Sequence, residues 1–160
     1  MEEKGFDILL QAIPLVLKEQ PNTHFLFAGD THISYEPFFE QVQSLIEENK
    51  EKITLLGLLD GPELTYFYKS LSLFALSSRS DCFPLTQMEA VRSGVPVVVT
   101  NIPGARMLVK ETGCGIIVPA EHVKQLARAI ITILQNPADY RKKTADAVQW
   151  LDFYAVPKLD

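Results

Sequence analysis

The chain has 160 residues, with 15 Lys and Arg against 20 Asp and Glu, so its formal net charge is −5 at pH 7. That length suits one domain, and a negatively charged chain repels phosphates, which disfavours general nucleic-acid binding. A composition of 47% hydrophobic and 22% charged residues supports a buried core rather than disorder. Two cysteines and no apolar run near the ~20 residues of a membrane span disfavour a disulfide framework, structural zinc, secretion and membrane insertion. The sequence predicts a soluble, cytoplasmic protein.

Two kinds of apolar spacing alternate along the chain. Residues 5–19 carry an apolar stripe at helical spacing, and residues 24–28 form a short apolar run that ends at Gly29, which is typical of a strand buried on both faces. Helices are predicted at 5–19, 37–49, 62–69, 84–93, 121–134 and 138–150, with a break at Asn136-Pro137. Strands are predicted at 24–28, 52–56, 71–76, 95–100 and 115–118.

This alternation predicts an α/β fold: a doubly wound, Rossmann-like parallel sheet with helices on both faces, formed as one domain over residues 1–160. In such sheets ligands bind outside the carboxyl ends of the strands. The loops to inspect are therefore 29–31, 57–61, 77–83 and 100–104. The fold by itself fixes no function.

The segment 77–104, SSRSDCFPLTQMEAVRSGVPVVVTNIPG, is the most informative part of the sequence. A strand ends there, and a helix is predicted to begin near Pro84, which leaves the amides of Leu85 and Thr86 pointing out of the helix toward an anion. Glu89 lies one turn further on the same face, where a carboxylate can accept hydrogen bonds from the vicinal hydroxyls of a ribose. Spacing alone favours a simpler interpretation, in which Asp81 caps the helix and Glu89 is a solvated helix residue.

The same segment resembles the donor-binding segment of the retaining GT-B glycosyltransferases of group 1, a family 4-like pattern. The family motif is Glu-Gly-Phe-Gly/Pro-Leu, three residues, Glu-Ala and then Gly-x-Pro-Val-Val. Here it stands as residues 81–85 (DCFPL), Glu89-Ala90 and residues 94–98 (GVPVV), in the family's order and spacing. Lys4-Gly5 and residues 27–30 (FAGD) also match. The resemblance covers the whole chain and corresponds to the carboxyl-terminal, nucleotide-sugar-binding half of such enzymes.

The resemblance implies a role for each matching residue. Lys4 corresponds to the lysine that neutralises the diphosphate and helps it leave, and Asp81 stands where the family has a glutamate near the transferred sugar; both are predicted to be catalytic. Glu89 is expected to bind the ribose, and Gly57 and Leu58 lie where the nucleobase pocket is usually built. The predicted donor-binding set is Gly29, Gly57, Leu58, Phe83, Pro84, Leu85, Thr86 and Glu89.

Three departures from the family pattern stand out. Asp81 is one methylene shorter than the usual glutamate, and small misplacements of a reacting group reduce rates. Cys82 replaces a glycine, so it would be strained if the loop needs a positive φ there. The strand and the Gly-Arg that precede the family's lysine are absent before Lys4, as is the acceptor-binding domain. We therefore expect a sheet without its central first strand, in a fragment or in one subunit of a split enzyme.

Other residues are given simpler interpretations. His24, His32 and His122 share no ligand spacing, so no metal site is predicted. Arg79 is expected to be a solvated loop residue, and Cys82 has no evident histidine partner for nucleophilic catalysis. The segment 29–31 lacks the spaced glycines of a dinucleotide fingerprint, which disfavours a nicotinamide enzyme.

The leading functional hypothesis is binding of a nucleotide-diphospho-sugar, UDP or GDP type, for retaining glycosyl transfer to an acceptor held by a missing domain or partner. No cofactor beyond this donor substrate and no nucleic-acid partner is expected, and any membrane association is expected to be peripheral and to belong only to the full enzyme. The alternative is a non-catalytic fragment that binds a nucleotide or a protein. A related epimerase or phosphorylase-like enzyme is a third hypothesis that nothing in the sequence favours.

Overall fold

The structure is a computed structural model that describes residues 2–30, 38–82 and 84–155. After a short 3-10 turn at Glu2–Lys4, helices and strands alternate through most of these residues. The helices are α1 (Phe6–Glu19), α2 (Phe38–Glu48), α3 (Gly61–Ser70), α4 (Leu85–Arg92), α5 (Pro103–Thr112), α6 (Val123–Gln135) and α7 (Pro137–Ala155). The strands are β1 (Phe25–Ala28), β2 (Ile53–Gly57), β3 (Phe74–Leu76), β4 (Val97–Thr100) and β5 (Gly115–Val118).

All the strand pairs found in these residues are parallel, as predicted, but they form two sheets. β1 pairs with β2, and a second sheet has the order β3-β4-β5. β1 and β3 border a cleft and do not pair with each other. One further strand between them would give the Rossmann-type order 3-2-1-4-5-6.

The central strand β4 is buried on both faces because successive side chains of a strand point to opposite sides. Val98 belongs to one hydrophobic cluster, whereas Val97 and Val99 belong to the other, and all three are fully buried. The prediction of two-sided burial is confirmed for β4. It holds only in part for β1, whose burial decreases from Phe25, which is buried, to Ala28, which is exposed. In β2, Leu55 is 37% and Leu56 38% exposed, because a two-stranded sheet at the edge of the fold is only partly covered.

Helices cover both faces of the sheets, which confirms the predicted α/β architecture. The first cluster joins α1, α2 and α6 through residues such as Leu10, Val42 and Ile130. The second cluster joins α3, α4, α5 and α7 through residues such as Phe67, Ala90, Leu108 and Leu151.

One helix, α5, has no counterpart among the predicted elements. It begins at Pro103 and ends before Gly113, which has a φ of 68°. The break between α6 and α7 falls at Asn136-Pro137, as predicted. α7 continues to Ala155, five residues beyond the predicted end.

Candidate functional site

A cleft of about 1070 Å³ runs along the strands between β1 and β3. One end opens at the carboxyl ends of the strands, where the fold predicts a ligand. The residues that line this end include most of the predicted site: Lys4, Gly29, Asp30, Leu58, Ser77, Asp81, Pro84, Leu85 and Thr86. We call this end the site cleft. Gly57 and Glu89 do not line it, and Phe83 lies outside the described residues.

Close packing of Gly5 on Ser77 brings the amino-terminal segment to the site cleft. Gly5 has a φ of 63°, and an added Cβ would overlap the carbonyl oxygen of Ser77. The Ser77 hydroxyl donates to the carbonyl oxygens of Gly5 at 2.8 Å and Lys4 at 3.2 Å. Only glycine satisfies both the backbone angle and this approach. Lys4 is thereby held beside the carboxyl end of β3.

The two predicted catalytic residues are in direct contact. Lys4 Nζ lies 2.6 Å from Asp81 Oδ2, although 77 positions separate them in the chain. The Asp81 side chain is 13% exposed and that of Lys4 is 59% exposed, so the carboxylate sits inside the cleft wall and the ammonium reaches toward solvent. Asp81 is therefore more than a helix cap: α4 has Pro84 as its N-cap, and the Asp81 carboxylate forms an ion pair.

Arg79 is not the solvated loop residue that the sequence predicted. Its guanidinium forms a bidentate pair with Asp7, at 2.9 Å and 2.8 Å, and its Nε donates to Glu121 at 2.8 Å. Its backbone amide donates to the carbonyl oxygen of Glu3 at 2.8 Å. The hydrogen bond from Arg79 is the main reason why the pKa of Asp7 lies below its usual value. These contacts, which we call the Arg79 clamp, fasten the segment that carries Lys4 to the end of β3.

The start of α4 offers amide donors beside the ion pair. The helix begins at Leu85, one residue later than predicted, and Leu85 and Thr86 are exposed in its first turn. The preceding loop packs against the start of α5, because a Cβ on Gly104 would overlap the carbonyl oxygens of Asp81 and Cys82. Cys82 is exposed and has no positive φ, so replacement of the family glycine introduces no strain there. Backbone amides at a helix start suit an anion.

Glu89 has a partner that the sequence did not reveal. The Tyr68 hydroxyl, on α3, donates to Glu89 Oε2 at 2.8 Å. Tyr68 is 4% exposed and lines the cleft, whereas Glu89 is exposed on α4. Burial, followed by the hydrogen bond to Glu89, raises the pKa of Tyr68 far above its ordinary value. The pair is 21 positions apart, so no local spacing could have signalled it. The interpretation of Glu89 as a merely solvated residue is thus incomplete.

Two of the three histidines have hydrogen-bond partners, and His32 lies outside the described residues. His24 shares a hydrogen bond of 2.8 Å with Thr54, and His122 caps α6 by accepting from the amide of Gln125 at 3.4 Å. In the described part of the chain, no three His, Cys, Asp or Glu side chains are grouped as a metal ion would require. None of the helices described there is long and apolar enough to cross a membrane.

Known proteins resemble this chain in sequence. An α-monoglucosyldiacylglycerol synthase of Streptococcus pneumoniae is 30% identical over 142 residues, which are 89% of this chain and 31% of that protein. An uncharacterized glycosyltransferase of Haemophilus influenzae is 22% identical over 157 residues, 98% of this chain and 43% of that protein. The chain therefore spans less than half the length of these relatives.

Solved structures show the same fold. The carboxyl-terminal domain of a glycosyl transferase group 1 family protein, LpcC of Francisella tularensis, superposes with a TM-score of 0.85 at 17% identity, over 99% of this chain and 83% of that one. HepE of Anabaena, in complex with UDP, gives a TM-score of 0.80 at 21% identity, over 93% of this chain and 40% of that one. The similarity identifies the Rossmann-like fold of GT-B glycosyltransferases.

Family assignment follows from the extent of the sequence match. The family profile described as "Glycosyl transferases group 1" matches residues 1–149, nearly the whole chain. The match includes the stretch that holds Lys4, Asp81 and Glu89. This protein belongs to the group 1 family of glycosyltransferases.

Proposed function

We propose that this chain is the donor-binding unit of a retaining glycosyltransferase and takes a nucleotide-diphospho-sugar in the site cleft. The observation that carries the proposal is the contact between Lys4 and Asp81, 2.6 Å apart, beside the first turn of α4. A cation, a carboxylate and outward-facing amides at one opening match a substrate that has both a diphosphate and sugar hydroxyls.

Lys4 and the start of α4 would bind the diphosphate. The Lys4 ammonium has three N–H donors and is 59% exposed, so it can bond to Asp81 and to a phosphate oxygen at the same time. The amides of Leu85 and Thr86 add the partial positive charge of the helix start. Negative charge grows on the diphosphate as the bond to the sugar breaks. These groups would therefore stabilise the leaving group more strongly in the transition state.

Asp81 would accept hydrogen bonds from the hydroxyls of the transferred sugar, close to the reacting carbon. Its 13% exposure and its bond to Lys4 keep the carboxylate in place at the cleft wall. Phe83 and Pro84 follow Asp81 closely in the sequence and would line the sugar and diphosphate pocket, as the family resemblance implies. No side-chain nucleophile is assigned. The acceptor hydroxyl would attack from the face that the diphosphate leaves, and the diphosphate would take its proton.

The nucleoside would extend away from the diphosphate. Glu89 is assigned to the ribose, and Gly29, Gly57 and Leu58 to the nucleobase side of the pocket. Gly29 and Leu58 line the cleft, and the amide of Gly29 bonds to the carbonyl oxygen of Gly57 at 2.8 Å, so the ends of β1 and β2 are joined there.

The acceptor would be held by residues outside these 160, since the relatives are more than twice as long. The proposal places the protein in the cytoplasm, with any membrane association belonging to the complete enzyme. It requires no metal ion and no cofactor other than the donor itself.

Calorimetric titration with UDP and GDP tests the proposal. UDP is the first probe because the Anabaena protein with the same fold was solved with UDP and with UDP-glucose. We expect saturable binding of one diphosphate and about tenfold or more weaker binding by Glu89→Ala, which removes a charged acceptor. Glu111→Ala, at an exposed position of α5, is the matched control and should bind like the unsubstituted chain.

Two results would contradict the proposal. The first is no binding of either diphosphate, which would favour a partner-dependent or non-catalytic fragment. The second is binding that Glu89→Ala and Lys4→Met leave unchanged, which would locate the nucleotide elsewhere.

A further inference from the structure

The hydrogen bond between Tyr68 and Glu89 joins two helices, α3 and α4, that both contribute to the lining of the cleft between β1 and β3. Tyr68 lies near the end of α3 and Glu89 in the middle of α4, and the hydroxyl donates to Oε2 at 2.8 Å. Among the described residues, Tyr68 is the side chain that donates a hydrogen bond to the Glu89 carboxylate. A glutamate has three rotatable side-chain bonds, so this contact decides which way an otherwise mobile carboxylate points.

The Tyr68 ring is fixed independently of Glu89. It is 4% exposed, and its centroid lies 5.2 Å from that of Phe67 and 5.9 Å from that of Phe74 on β3. The packing of the ring in the second hydrophobic cluster therefore holds the hydroxyl in a fixed position. Burial and Glu89 raise the pKa of Tyr68, so its hydroxyl stays protonated and can donate.

The chemistry of the pair suits a ligand hydroxyl. The Tyr68 hydroxyl donates to Oε2 of Glu89. An ionised carboxylate has lone pairs on both oxygens, so Glu89 can also accept a pair of hydrogen bonds from vicinal hydroxyls. A carboxylate already held in one orientation loses less conformational entropy when the ligand binds. A purely structural bond between α3 and α4 would not need its acceptor on an exposed, charged side chain.

We propose that Tyr68 is a positioning residue that orients the Glu89 carboxylate toward the ribose hydroxyls of the donor. This inference rests on the proposed function, because it assigns the ribose to Glu89. Tyr68 itself does not touch the reacting atoms. It acts through Glu89, and it makes nucleotide affinity depend on how α3 packs against α4.

The test is a comparison of two nucleotides on matched variants. Tyr68→Phe removes the hydroxyl and keeps the buried ring; Tyr66→Phe, on the same helix but 72% exposed, is the control. Each protein is titrated with the diphosphate, UDP or GDP, that binds the unsubstituted chain, and with its 2′,3′-dideoxy form. We expect Tyr68→Phe to weaken the ordinary nucleotide about three- to tenfold and to leave the dideoxy form unchanged. Tyr66→Phe should change neither.

A second variant keeps the test decisive if the loss of the hydroxyl disturbs packing. Glu89→Asp retains the charge but draws the carboxylate back by one methylene from Tyr68, and it should lose ribose-dependent affinity to a similar extent. In the double variant the two losses should not add, because both remove the same oriented carboxylate.

The outcomes separate this inference from the proposed function. Equal weakening of both nucleotides by Tyr68→Phe would make Tyr68 a structural residue only. An unaffected ordinary nucleotide, together with a clear loss in Glu89→Ala, would overturn the positioning role and leave the donor site standing. No binding of either nucleotide by the unsubstituted chain would overturn both.

Discussion

At the scale of single residues, Lys4 supplies a positive charge at the site cleft. Its ammonium contacts Asp81 at 2.6 Å but is 59% exposed, and an exposed ion pair contributes at most about 1 kcal/mol to folding. If the proposed function holds, the same ammonium forms a charge-assisted bond to the diphosphate. We expect Lys4→Met to weaken UDP binding by about 10- to 100-fold, with little change in the free energy of unfolding.

Calorimetry and urea unfolding of the same protein samples check this expectation. The matched control is Lys50→Met, because Lys50 is 65% exposed and pairs with Glu47, and neither residue lines the cleft. Lys50→Met should change neither affinity nor stability appreciably. A large loss of stability in Lys4→Met with unchanged affinity would assign the Lys4–Asp81 contact to folding instead of binding.

A second prediction at this scale concerns the stability of the Gly5→Ala variant. Gly5→Ala would need both a φ of 63°, which costs an L-residue roughly 1–2 kcal/mol, and room for a methyl group against the Ser77 carbonyl oxygen. Gly94→Ala meets only the first problem, because its φ is 80° and nothing lies within 4 Å of the added carbon. We expect a loss of about 1 kcal/mol for Gly94→Ala and about 3 kcal/mol or more for Gly5→Ala.

Urea unfolding followed by circular dichroism measures both losses. Similar losses for the two variants would show that the amino-terminal segment does not need its close approach to β3.

Among the structural elements, the Arg79 clamp couples α1 to the end of β3. The folded-state pKa of Asp7 lies below its ordinary value of 3.8, mainly because Arg79 donates to it. A depressed carboxyl pKa gives stability that is present above the unfolded pKa and is lost as pH falls through the folded pKa. We expect Arg79→Met to lower the free energy of unfolding by about 1–3 kcal/mol at pH 7, and by progressively less below about pH 4.

Urea unfolding at pH 7 and at pH 3 measures this difference. Asp7→Asn should reproduce most of the loss at pH 7, and the two substitutions together should lose less than the sum of the single losses. Arg141→Met, at an exposed position of α7, is the control. A loss that stays constant between pH 7 and pH 3 would exclude the ionised Asp7 as the main partner of Arg79.

Most elements could be predicted from the spacing of their apolar residues. A helix with one buried face has apolar residues at helical spacing, and a strand buried on both faces has a continuous apolar run. The helix α5 was not predicted, although its sequence has ordinary helix signals. Pro103 stands at its start, Gly113 follows its end, and Ala105, Leu108 and Val109 have helical spacing. Its apolar stripe is short and directly follows the segment 77–104, which carries the family motif. The exposure of β2 could not be predicted, because an apolar run does not reveal which neighbours cover it.

Site residues could be predicted where a family motif fixes their order along the chain. Contacts between elements that are distant in sequence could not be predicted. Lys4, Asp81 and the start of α4 were assigned through the family pattern, and the structure brings them together at one cleft. The partners of Arg79 and Glu89 depend on how helices pack, with separations of 72 positions to Asp7 and 21 to Tyr68. Local spacing carries no information about such pairs.

At the scale of the whole molecule, the site cleft lies where the two sheets separate. β1 and β2 stand on one side, and β3, β4 and β5 on the other, while α1 is packed into the first cluster and joined to β3 through Gly5, Ser77 and the Arg79 clamp. The described groups assigned to the donor lie after the carboxyl ends of these strands, on α4 or, for Lys4, in the turn before α1.

If the proposed function holds, the greater length of the relatives leads to a prediction for the 160-residue chain alone. Transfer requires an acceptor hydroxyl held within about 3–3.5 Å of the reacting carbon, and such positioning contributes effective molarities of roughly 10⁵ M or more. A chain that positions only the donor lacks this contribution. We expect it to bind the nucleoside diphosphate and to transfer no sugar from UDP-glucose or GDP-mannose to glycerol or simple glycosides above the rate in buffer. Radiolabelled donor with product separation measures this; turnover that Lys4→Met abolishes and Lys50→Met preserves would show that these residues are a complete enzyme.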